Sequence, residues 1–157
     1  MVGVASVPVL LPLLAVASVP PETETLFVTD AAVNIAPSLE EKVDITQNAI
    51  DLAQALGLVQ PKVAILAAVE TVNSHMPSTT EAAALCKMAD RGQIRGALLD
   101  GPLAMDNAIS KVAAKIKNIK SEVAGDADIL LVPDLEAGNI LAKQLTFMAN
   151  ADAAGIV

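Results

Sequence analysis

Short apolar runs alternate along this chain with longer segments whose apolar positions recur at helical spacing, a rhythm that predicts strand, helix, strand, helix. Leu26–Thr29 is the first orderly strand, with Asp30 at its end. Ser38-Leu39-Glu40-Glu41 then reads as a capping box, opening a helix that runs to about Leu56 and stops at Gly57. Leu39, Val43, Ile50, Leu52, Ala53 and Leu56 share its apolar face, opposite Glu40, Asp44, Asp51 and Gln54. Lys62–Val69 is nearly continuous in apolar residues, as expected of a strand covered on both faces, and Glu70 closes it. A polar loop through Asn73, Ser74, His75 and Pro77 leads to a second predicted capping box, Ser78–Glu81, and to a helix carrying Leu85, Cys86 and Ala89 that ends before Gly92. Ile94–Leu99 is the third strand, with Asp100-Gly101-Pro102 as a turn behind it. A helix from Ala104 to Ile116 follows, holding Lys111 and Lys115 outward. Asp128–Pro133 is a buried strand, Asp134 an N-cap, and Leu135, Leu141, Leu145 and Met148 the stripe of the helix behind it. Ala153–Val157 begins a fifth strand.

Crossovers of this length join parallel strands. The expected product is an α/β three-layer sandwich with a mostly parallel sheet of about five strands. A chain of 157 residues is long enough for one domain. Its two aromatics, Phe27 and Phe147, leave the core to aliphatic side chains between Ala-rich helices, which favours layers of helix and sheet over paired sheets. Residues 1–24 stand apart as an apolar leader interrupted by Pro8 and Pro12. Ala15-Val16-Ala17 resembles a signal-peptidase site, but no basic segment precedes it. The leader therefore reads as a strand remnant, an expression artefact or the trace of a truncated or fused reading frame.

The net charge of −8 argues against binding to nucleic acid or to an anionic membrane surface. Lys111, Lys115, Lys117 and Lys120 read as a solvated helix face continuing into a loop, with an anion-attracting patch as the alternative. Cys86 is the single cysteine, which points to a buried filler and a reducing, intracellular setting. His75 alone cannot build a multi-histidine metal site, and no GxGxxG, GxxxxGK[ST] or GxSxG is present. Four predicted strands end beside an acid: Asp30, Glu70, Asp100 and Asp134. Carboxyl ends of strands are where open α/β sheets place ligands, yet capping and turn formation account for Asp100 and Asp134 without any ligand. Gly101, Gly125 and Gly138 could offer backbone N–H groups to an anion.

The segments Thr29–Gly57, Pro61–Asn73, Met76–Ser110 with its DGPLAMD, and Val123–Val157 with VPDLEAGN resemble the phosphate acetyltransferase and phosphate butyryltransferase family. The likeness is greatest to its butyryl-type branch and to the acyltransferase part of bifunctional enoyl-CoA hydratase/phosphate acetyltransferases. It spans about Leu26 to Val157, mainly the family's second domain. The resemblance implies reversible acyl transfer between coenzyme A and inorganic phosphate, acyl-CoA as substrate with no tightly bound cofactor or metal, a cytoplasmic homodimer, and a partial isocitrate/isopropylmalate dehydrogenase-like fold. It also implies that residues 25–157 form one wall of a cleft. The first domain and the downstream segment with a Ser-Arg pair and an Asp are expected to be absent, which leaves this chain alone inactive. Phe147 replaces an arginine found near coenzyme A in the acetyl branch. The residues carried over as cleft-facing are Asp100, Gly101 and Asp106 of DGPLAMD, with Gly125, Asp126, Asp134 and Asn139. The alternative is a noncatalytic fragment that keeps dimerisation or weak coenzyme A binding.

Overall fold

The computed structural model describes residues 13–18 and 25–156. Six strands form one sheet, β1 (Leu13–Ser18), β2 (Thr25–Thr29), β3 (Lys62–Leu66), β4 (Leu98–Leu103), β5 (Ile129–Leu131) and β6 (Gly155–Ile156), in the order β4-β3-β5-β2-β1-β6. The block from β4 to β2 is parallel. Phe27 of β2 and Val63 of β3 both lie opposite Ile129, so the three-residue β5 is clamped from both sides. β1 and β6 extend the sheet antiparallel beyond β2.

This arrangement corrects the expected sheet of about five mostly parallel strands in a partial isocitrate/isopropylmalate dehydrogenase-like fold. The parallel block holds four strands. Part of the apolar leader pairs with β2, and the short link of residues 19–24 permits only antiparallel pairing because a parallel return needs a crossover. The remaining leader residues, 1–12 and 19–24, and Val157 lie outside the described residues.

Alternation along the strands sends side chains to two cores. Phe27, Val63, Ile65, Ile129 and Leu131 pack with Ile45, Ala49 and Ile50 of α1 (Leu39–Ala55) and with Ala82 and Leu85 of α2 (Pro77–Asp90). On the other face Val28, Ala64, Leu66 and Leu130 meet Ala108 of α3 (Met105–Ile109), Ala114 of α4 (Lys111–Ile116) and Ala142 of α5 (Leu135–Phe147). Each large aliphatic side chain buried this way contributes about 1.5–3 kcal/mol of transfer free energy.

Three local expectations need correction. The third strand sits later than predicted, because Ile94 is buried in the core and α1 takes the backbone beside it. Gln47 accepts from the Arg95 N–H and donates to the Arg95 carbonyl, while Gln54 donates to that of Gly96. The strand then runs through Asp100-Gly101-Pro102, which β4 tolerates as an edge strand. The first capping box forms as predicted, with Ser38 and Glu41 exchanging bonds of 3.3 and 2.7 Å. The second does not: α2 starts at Pro77, Thr79 binds backbone at Asn73 and Met76, and Glu81 reaches Lys42 at 2.5 Å. Finally, the predicted Ala104–Ile116 helix breaks at Ser110, whose extended backbone separates α3 from α4 and whose hydroxyl caps the latter.

Candidate functional site at the strand ends

The four parallel strands end on one edge of the sheet, and each is followed by a segment that carries acids. After β2, Asp30 is buried with its carboxylate fully committed. It accepts from the N–H groups of Val33 at 3.1 Å and Asn34 at 2.9 Å, and from the Asn34 side chain. After β5, Asp134 accepts from the Ala137 N–H at 2.9 Å and starts α5. The Leu135 N–H donates to the Ile35 carbonyl, which fastens α5 to the loop behind β2. Gly138 allows that approach: a Cβ there would stand 2.8 Å from Ala31 Cα and 2.7 Å from Val132 Cγ2.

At the β3 and β4 end the acids remain at the surface. Glu70 accepts from Lys117 at 2.9 Å. That hydrogen bond holds the Glu70 carboxyl below its usual range and raises the Lys117 ammonium, to which Asp106 adds a smaller electrostatic pull. Asp106 is exposed in the first turn of α3 and makes no ion pair among the described residues. Lys117 is therefore held as an ammonium, with its charge shared with Glu70 at an open edge.

The predicted site residues do not gather in one place. Asp106, Asp134 and Asn139 follow the carboxyl ends of β4 and β5. Asp100 and Gly101 lie within β4. Asp100 accepts from the Gly101 N–H at 2.9 Å, and Gly101 carries no Cβ because one would meet Ile65 Cβ and its carbonyl at 2.8 Å. Gly125 and Asp126 precede β5, on the opposite edge. Asp126 binds Lys62 at 2.5 Å and Lys111 at 2.7 Å. Gly125 has φ +81 and sits so close to α4 that a Cβ would stand 2.5 Å from Lys111 N and Cα.

Sequence reasoning missed Lys117, which was grouped with a solvated face, and Asn107. Asn107 is fully buried beside Asp106, and neither polar atom of its carboxamide has a hydrogen-bond partner in the described structure. A polar residue next to a predicted site acid was the available signal. Cys86 is partly buried and donates weakly to the Gly101 carbonyl at 3.6 Å; burial pushes its thiol up to about 12, so it is no nucleophile at neutral pH. Among the described residues no group of three or more His, Cys, Asp or Glu could hold a metal ion, and no helix is long and apolar enough to cross a membrane.

A family model described as Phosphate acetyl/butaryl transferase matches residues 4–157, reaching further into the leader than the sequence segments above. A Phosphate acetyltransferase of Rhizobium meliloti is 68% identical over 142 residues, covering 90% of this chain and 45% of that protein. A Probable phosphate butyryltransferase of Bacillus subtilis is 56% identical over 143 residues, covering 91% and 48%. The chain thus spans about half the length of these relatives. The crystal structure of a branched-chain phosphotransacylase from Enterococcus faecalis superposes with a TM-score of 0.86 at 38% identity, covering 94% of this chain and 52% of that one. The fold is therefore that of the phosphotransacylases, with its four-stranded parallel block, in place of the isocitrate/isopropylmalate dehydrogenase-like fold expected above.

Proposed function

Because the chain belongs to the phosphate acetyl/butaryl transferase family, we propose that a protein built on it transfers an acyl group reversibly between coenzyme A and inorganic phosphate. The 68% identity to the Rhizobium meliloti enzyme over 90% of the chain carries this reading. A phosphate oxygen attacks the thioester carbonyl carbon, the carbon–sulfur bond breaks, and the thiolate leaves and takes up a proton. Such a site needs donors for the phosphate and the developing oxyanion, and a group to exchange the thiol proton. The edge beyond β3 and β4 offers Lys117 for charge, with Asp106 and Glu70 beside it. Asp134 and Asn139 at the start of α5 border the same edge in this reading.

In the same reading residues 25–157 supply one wall of a cleft in a cytoplasmic homodimer, and acyl-CoA is a substrate. Positioning two reactants takes both walls, so turnover by the 157-residue chain alone is low. The second reading is a noncatalytic fragment that keeps dimerisation or weak coenzyme A binding. Acyl phosphate formation from acetyl-CoA and butyryl-CoA, measured for this chain and for a version extended to the relatives' length, separates the two. Turnover by the extended protein supports the transferase. Its absence while another coenzyme A reaction proceeds overturns it, and calorimetry with coenzyme A plus sedimentation of the short chain tests the fragment reading.

A further inference from the structure

The chain holds 18 acids against 10 lysines and arginines, yet one groove reverses that balance. It lies between α4 and the segment returning to β5, has a volume of about 410 Å3, and is bordered by Lys111, Lys115, Lys120, Ser121, Glu122 and Asp126. Three ammonium groups line it against two carboxylates. Asp126 is further neutralised by Lys62, so its charge is shared between two cations. Lys115 and Lys120 are exposed and make no ion pair among the described residues.

The groove is also built on ordered backbone. The Ser121 hydroxyl accepts from the N–H groups of Val123 at 3.0 Å and Ala124 at 3.1 Å, which leaves its O–H as a donor. The Gly125 N–H is anchored on the Ala108 carbonyl at 3.1 Å, and Asp126 locks Lys111 in place. None of these residues belongs to the loops that follow the parallel strands. The volume falls within the range of small-molecule sites and exceeds what a single orthophosphate fills.

We propose that this groove binds a small anion with two or more phosphoryl charges, a diphosphate or a multiply phosphorylated metabolite, held by Lys115 and Lys120 with the Ser121 hydroxyl. Two separated ammonium groups favour a ligand with two separated anionic centres over inorganic phosphate. Lys115, Lys120 and Ser121 have no part in the acyl-transfer reading.

The test is a titration of the 157-residue chain, labelled with nitrogen-15, using sodium pyrophosphate and, separately, inorganic phosphate at constant ionic strength. The expected result is a saturable shift of backbone amides confined to residues 111–126, with pyrophosphate binding more tightly than phosphate. Lys115→Gln with Lys120→Gln weakens it about tenfold, the loss of two exposed charge contacts, whereas Lys143→Gln leaves it unchanged. Both substituted side chains are exposed, and a circular dichroism spectrum verifies the fold. Shifts that spread over every lysine without saturating, or a double variant that binds as its parent does, overturn the proposal. Coenzyme A and acyl phosphate are absent throughout, so failure here leaves the transferase reading intact.

Discussion

The two edges of the parallel block use carboxylates for different work. Before the strands, Asp126 clamps Lys62 and Lys111, and Asp128 accepts from the Lys62 N–H at 2.7 Å while its own N–H donates to the Lys62 carbonyl. That edge is an interlock of β3, β5 and α4. Beyond the strands, Asp30 and Asp134 serve backbone amides, while Glu70, paired with Lys117, and the exposed Asp106 and Glu136 keep charge at the surface. An acid at a strand end is therefore not evidence of a site. What counts is whether any of its lone pairs remain uncommitted.

The sharpest way to break the comparison is to disturb the interlock where it has no slack. Gly125→Ala adds a Cβ 2.5 Å from the Lys111 backbone at a φ of +81, and strain plus displacement of α4 should cost about 3 kcal/mol or more. Chemical denaturation measures this directly. A loss below about 1 kcal/mol would mean that α4 floats over the sheet edge. On the opposite edge Asp30→Ala removes the acceptor for three backbone N–H groups and the Asn34 amide, an expected loss of about 2–3 kcal/mol. If Asp30→Ala were neutral while transferase activity vanished, Asp30 would have to move from scaffold to site.

Much of this division was unreadable from sequence because it depends on long-range partners. The Ser38 capping box was legible since both its bonds are three residues apart. The Ser78 box had the same pattern, yet Glu81 is drawn to Lys42, a buried lysine on another helix. Likewise Ile94–Leu99 looked like a strand until α1 glutamines took its backbone. The strand rhythm and the acids behind each strand were visible locally. Which edge Gly125 and Asp126 occupy follows from chain direction once β5 is parallel, but their partners, Lys62 and Lys111, are set by strand order and by the break at Ser110.

Smaller effects sharpen the contrast at the far edge. Asp134→Ala removes an N-cap and should cost about 1 kcal/mol, with Asp134→Ser restoring most of it. The Asp106 side chain is exposed and makes no hydrogen bond or ion pair among the described residues, so the stability of Asp106→Ala should stay within about 0.5 kcal/mol of the parent. Its effect belongs to turnover: in a protein of the relatives' length, acyl phosphate formation should fall while the thermal midpoint holds. A stability loss without a rate loss would assign Asp106 to the scaffold.

The weakest expected effect tests the interlock by pH. Hydrogen bonds from Lys111 and then Lys62 hold the Asp126 carboxyl below its usual range. A lowered folded value means that the unfolded chain takes up the proton first as pH falls. The clamp therefore contributes fully above the unfolded carboxylate value, about 3.9, and is lost as pH drops through the lower folded one. The Asp126 side chain is 42% exposed, so solvent and salt reduce the contribution to a few tenths of a kcal/mol. Asp126→Asn should lower the unfolding midpoint slightly at neutral pH, converge with the parent as pH falls through the lowered folded value, and lose its effect in high salt. On the alkaline side the raised Lys62 ammonium works in the other sense: its contribution stands below the ordinary lysine range and fades as pH climbs through the raised value. A parent and variant that differ equally at every pH would show that Asp126 acts by packing, and the electrostatic contrast between the two edges would fall.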